Sequence, residues 1–219
     1  MDGRAQFRRP EALAEALGVF AFVMLFIWKL QPDRAGLAVL VPVFTCATHA
    51  ARGETTRQLG FGWKDARASF DLLLWAAAAA CLFLAVGALA GAIRPMSPGR
   101  LPLGLGAYAV WGIFQQYLLN AFLATRLEEA AGGRRSGLTA LAAAALFSLV
   151  HFPNWFLMAV TLVGGYVSVR LYPRYRSLYV LGIAHAVIAF ALFLAVPDSV
   201  CGHFLIGPRY VHRLSARLQ

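Results

Sequence analysis

Two stretches of this chain, Leu72 to Ile93 and Leu101 to Thr125, contain no charged residue at all. At about 1.5 Å of rise per residue, each is long enough as a helix to cross about 30 Å of hydrocarbon. Such blocks leave few options, because a backbone in lipid must satisfy its own hydrogen bonds. Composition agrees: 60% of the residues are hydrophobic and 14% charged, too little charge to cover the surface of a soluble domain of 219 residues. The sequence therefore predicts an all-α, polytopic transmembrane helical bundle forming a single integral membrane domain over 1–219.

Seven spans are expected, near 13–31, 35–51, 70–93, 101–125, 137–152, 155–171 and 178–197. The second is short and carries Pro42. Residues 137–171 would make one helix of about 52 Å, well beyond the hydrocarbon thickness. Phe152-Pro153-Asn154 supplies a break, since proline lacks the backbone donor and disfavours helix at the residue before it. The segment 53–69, with Arg57, Leu59, Phe61, Trp63, Lys64 and Arg67, reads as an interfacial piece on the membrane surface.

The formal charge of +10 would suggest nucleic acid in a soluble protein. Here the basic residues lie between apolar blocks, where they set orientation, and no nucleic-acid partner is expected. With the N-terminus inside, thirteen of the twenty Lys and Arg fall on inner segments, including Arg52, Arg126, Arg134 and Arg174. That places the N-terminus in the cytoplasm and the chain in a membrane such as the bacterial inner membrane, with lipids as partners. The first block ends in Phe26-Ile27-Trp28-Lys29 without a small-residue cleavage site, so it reads as a retained anchor. Cys46, Cys81 and Cys201 are scattered and form neither a disulfide framework nor a metal motif.

No Asp, Glu, Lys or Arg falls in the middle of a span. Among the polar residues left in or beside the apolar blocks are Gln115, Gln116 and Asn120 in the fourth, His151 ending the fifth, Asn154 in the turn, and His185 in the seventh. Polar groups in hydrocarbon are costly and usually face the bundle interior. Gln116 and Asn120 share a helix face, whereas Gln115 points about 100° away from Gln116. Such amides also serve simply as interhelical hydrogen-bond partners. Two histidines on different helices could orient a water or a carbonyl, or hold a metal or an axial haem iron.

The order of these residues resembles a known pattern. Gln115-Gln116-Tyr117-Leu118-Leu119-Asn120 lies where the CAAX-protease and bacteriocin-processing family of intramembrane peptidases carries Glu-Glu-x-x-x-Arg. Phe147-Ser148-Leu149-Val150-His151 is similar to its Phe-x-x-x-His motif, and His185-Ala186-Val187-Ile188-Ala189 to its His-x-x-x-Asn. Gly164-Gly165-Tyr166 and Leu171-Tyr172-Pro173 also resemble the approach to the last histidine. The likeness covers 104–193. It implies an intramembrane endopeptidase acting on membrane-associated protein or peptide substrates. In that family the first glutamate is thought to activate water, while the two histidines and the asparagine assist it and hold the oxyanion.

By position, Gln115 and Gln116 replace the glutamates, Asn120 the arginine and Ala189 the last asparagine. An amide cannot accept a proton as a carboxylate does; His151 or His185 could serve as base, its neutral form being available near pH 7. Asn154, three residues after His151, is a candidate substitute donor to the oxyanion. Two further readings stay open: a member without catalysis that binds a membrane peptide or lipidated partner, and a haem-binding or transport protein using His151 and His185. With both carboxylates replaced, zinc would have to rely on amide oxygens beside the histidines, a donor set it rarely accepts. No cofactor is expected.

Overall fold

The computed structural model describes residues 9–31, 33–62, 69–134 and 136–217. All seven apolar blocks fold as helix, and no strand occurs among the described residues. Helix α1 covers Arg9–Leu25 and runs on as a π-helical turn, Phe26–Leu30. A 3-10 segment, Ala35–Val39, leads into α2, Leu40–Ala51, and α3 covers Asp71–Leu89. Pro42 sits just past the junction from 3-10 to α geometry, in the first turn of α2, where a missing backbone donor is tolerated. Next comes one long helical run: α4 (Leu101–Gln116), a π-helix (Tyr117–Ala124) and α5 (Thr125–Ala130). The chain continues as α6 (Gly137–Leu149), α7 (Trp155–Tyr175), α8 (Leu178–Ala195), the short α9 (Asp198–Cys201) and α10 (Gly207–Arg217).

Among the described residues, four helical segments are long and apolar enough to cross a membrane: Arg9–Leu30, Asp71–Leu89, Trp155–Tyr175 and Leu178–Ala195. Ala35–Ala51 and Gly137–Leu149 are apolar but shorter. The outward faces carry Trp75, Leu103 and Leu89, the last 90% exposed, as suits an integral membrane bundle facing lipid. The break expected at Phe152-Pro153-Asn154 separates α6 from α7. Asn154 caps the new helix by accepting from Leu157 N at 3.1 Å.

Helix α8 is the axis of the bundle, packing against α3 and α4, while α6 packs on α7 and α1 on α5. Helices α4 and α8 approach through glycine. A Cβ built on Gly112 would lie 2.5 Å from Gly182 O, and one on Gly182 would lie 2.5 Å from Ile113 Cα. Both obstacles are backbone, so neither can swing aside. We expect Gly182→Val to cost about 1–3 kcal/mol by overpacking, read as a lower melting temperature in detergent. Unchanged stability would mean that the two helices are free to separate.

The expected surface segment 53–69 is only partly described, and Trp63, Lys64 and Arg67 lie outside the described residues. Leu59 and Phe61 pack against the core cluster of Tyr117, Tyr172 and Leu178, and Leu178 N donates to Gly60 O at 2.8 Å. Apolar contacts thus seat this stretch against α7 and α8.

Arg126 does not lie in a loop: it is the second residue of α5 and is fully buried. Its guanidinium donates to Glu15 Oε2 and to Glu54 Oε2, both at 2.8 Å, and lies 3.5 Å from Glu129 Oε1. Arg52 joins Glu15 at 2.9 Å and Glu129 at 2.7 Å. His49 Nδ1 lies 2.6 Å from Glu54 Oε2. This network ties α1, α2, the turn after α2 and α5 together at one end of the bundle.

Burial pushes the Glu54 carboxyl up, but hydrogen bonds from His49 and Arg126 and their charges overcome it and hold the pKa at about 2, below its ordinary 4.5. The carboxylate's stabilisation is therefore complete above pH 4.5 and lost as pH falls towards about 2. It is worth on the order of 2 kcal/mol after solvent screening. The melting temperature in detergent should fall across that acid window, and Glu54→Gln should flatten the fall. A variant with the wild-type acid profile would remove Glu54 from the titration.

Candidate active site

Between the helices lies a cavity of about 640 Å³ whose walls come from α1, α2, α3, α4, α6, α7 and α8. Most of its lining is Leu, Val, Phe and Ile, and among the described residues no Asp, Glu, Lys or Arg lines it. A polar strip does: Gln115, Gln116, His151, Thr161, Ser168 and His185, with Ala189 four residues beyond the last. The sequence left open whether residues on three spans would meet at one depth. Helical packing brings them to one cavity.

Each histidine is oriented through Nδ1. His151 lies in the turn after α6 and is buried. Its Nδ1 donates to Phe147 O at 2.9 Å, with Thr161 Oγ1 at 3.5 Å. Thr161 donates its own proton to Leu157 O at 2.6 Å, so its oxygen is left to accept. A carbonyl only accepts, so Nδ1 carries the proton and neutral His151 keeps the lone pair on Nε2. His185 is arranged the other way: Gln116 Nε2 lies 3.1 Å from its Nδ1. An amide nitrogen only donates, so Nδ1 holds the lone pair and Nε2 bears the proton. The pair thus combines one acceptor and one donor, the set needed to take a proton from water and to face a developing oxyanion.

Of the two glutamines, it is Gln116 that meets a histidine. Gln115, which the motif alignment put at the catalytic glutamate position, lines the same cavity half-buried. Gln116 Oε1 accepts from Asn120 Nδ2 at 2.6 Å and from Ser168 Oγ at 2.5 Å, and Asn120 Nδ2 also lies 3.0 Å from Ser168 Oγ. The three side chains are buried.

Asn154 is placed elsewhere. Besides capping α7, its Nδ2 donates to Cys201 O at 2.9 Å and Leu205 O at 3.0 Å. It is fully buried and is not part of the cavity wall. With both amide hydrogens and the oxygen engaged in holding the α9–α10 connection, it is not placed to donate to an oxyanion.

Sequence reading passed over Ser168. A serine in an apolar helix commonly bonds its own backbone, so nothing in the sequence distinguished it; only the packing of α7 against the π-helix directs it to Gln116. For metal, the described residues contain no group of three or more His, Cys, Asp or Glu able to hold an ion. Two imidazoles with amide neighbours do not fit zinc's usual ligand set.

No curated protein and no solved structure matches the chain. Residues 97–191 match the family model described as Type II CAAX prenyl endopeptidase Rce1-like. That stretch holds Gln115, Gln116, Asn120, His151, Ser168 and His185, and over this core the chain is similar to the Rce1-like family of CAAX-protease-type membrane peptidases.

Proposed function

We propose that the protein is an intramembrane endopeptidase that cuts a membrane-associated protein or peptide, with His151 as base and His185 as oxyanion donor. The observation that supports this reading is the opposite protonation imposed on the two imidazoles by Phe147 O and by Gln116, on the wall of one cavity. His151 Nε2 takes a proton from water, and the hydroxide attacks the peptide carbonyl. The oxyanion accepts from His185 Nε2–H, and the proton on His151 passes to the leaving amine, giving a carboxylate and an amine. The apolar wall suits a lipid chain or an apolar peptide segment. Metal and nucleic acid have no part in this reading. Its setting is a bacterial inner membrane, with the N-terminus cytoplasmic.

A second reading is favoured by the lack of any carboxylate on the cavity wall among the described residues: a protein that binds the same class of ligand without cutting it. One experiment separates the two. The purified chain is reconstituted in liposomes with a farnesylated peptide or an unmodified membrane peptide, and products are read by mass spectrometry. Cleavage by the wild type, lost in His185→Ala, supports the peptidase; saturable binding without products supports the second reading.

A further inference from the structure

Asn120 and Ser168 hydrogen-bond to neither His151 nor His185, yet both aim hydrogens at one atom, Gln116 Oε1. The 2.5 Å separation from Ser168 Oγ is an O–H···O length and is too short for N–H···O. The Gln116 atom facing Ser168 and Asn120 is therefore its oxygen, and the nitrogen must face His185, 3.1 Å away. Turning the Gln116 amide over by itself would set its NH2 against that of Asn120. Turning Asn120 over would set two oxygens against each other. Asn120 Oδ1 is buried without a hydrogen-bond partner among the described residues, so the arrangement gives up an acceptor to keep this donor in place. Such a loss is unusual unless something else depends on it.

We infer that Asn120 and Ser168 are positioning residues that lock the Gln116 amide and thereby hold His185 as the Nε2–H tautomer, a donor and not a base. The inference deepens the peptidase reading, on which the label of oxyanion donor rests; the tautomer itself does not depend on it. In this arrangement the base and donor roles of the two histidines cannot be exchanged, because a residue on a third helix, α7, fixes the choice. Any loosening of α7 against the π-helix would release it.

The test is nitrogen-15 NMR of histidine-labelled protein in nanodiscs at neutral pH, with cleavage measured in parallel. His185, assigned by its loss in His185→Ala, should show a protonated Nε2 and a bare Nδ1. In Asn120→Leu/Ser168→Ala the amide is free to turn, and both tautomers should appear; a role in stability alone would leave the single tautomer. Should that variant fail to fold, Gln116→Glu decides: a carboxylate only accepts, so the proton should move to Nδ1. A wild-type His185 protonated on Nδ1, or a single unchanged tautomer in the folded variants, overturns the inference. The expected tautomers with no cleavage by any form would leave it standing and remove the peptidase reading.

Discussion

His151→Ala is expected to lower kcat/KM on a cleaved membrane peptide by about 10²–10⁴-fold, the usual contribution of a positioned general base. The loss should fall on kcat and leave KM little changed, because a proton transfer is made only in the transition state. The reason is local. His151 Nδ1 is committed to Phe147 O at 2.9 Å, so Nε2 is its one available lone pair, and among the described residues no carboxylate lines the cavity to replace it. Gln115→Ala provides the contrast. Gln115 shares the cavity wall, but the amide that reaches His185 is that of Gln116, so the change should cost less than tenfold (about 1.4 kcal/mol). If Gln115→Ala were as damaging as His151→Ala, the motif position would carry the chemistry and the assignment of the base would fail.

Arg126→Ala should be the most destabilising single change, at about 3–5 kcal/mol, the cost of breaking a buried ion pair from one side. The guanidinium is fully buried and is shared by Glu15, Glu54 and Glu129. Its removal leaves three carboxylates to Arg52 and His49, at an end of the bundle where four chain segments meet. The expected result is a sharp drop in folded yield and melting temperature in detergent. Arg126→Lys keeps the charge but loses the fork that reaches Glu15 and Glu54 together, and should fall between the two. Activity should decline in proportion to the folded fraction, since Arg126 joins the same helical run as Gln116 and acts only by seating it. A well-folded Arg126→Ala protein would show that the network does not hold α5.

The membrane character of this chain was legible in its sequence because hydrocarbon thickness acts on consecutive residues: uncharged blocks of sufficient length have few other uses. The turn at Pro153 was legible for a similarly local reason, a missing backbone donor. The order of the histidine motifs on successive spans was legible too, and it led to the family that residues 97–191 match. What the sequence left undecided was set by rotation and contact between helices. Neighbouring residues on a helix point about 100° apart, so whether Gln115 or Gln116 faced His185 depended on how α4 is turned against α8. That angle follows from the close approach at Gly112 and Gly182, residues distant in the chain. Arg126 read as an orienting charge, because its partners Glu15 and Glu54 lie 111 and 72 residues away. Asn154 read as a candidate donor until the chain near Cys201 and Leu205 folded back onto its amide. Ser168 gave no signal at all, since a hydroxyl in an apolar helix has no address until another helix brings an acceptor to it.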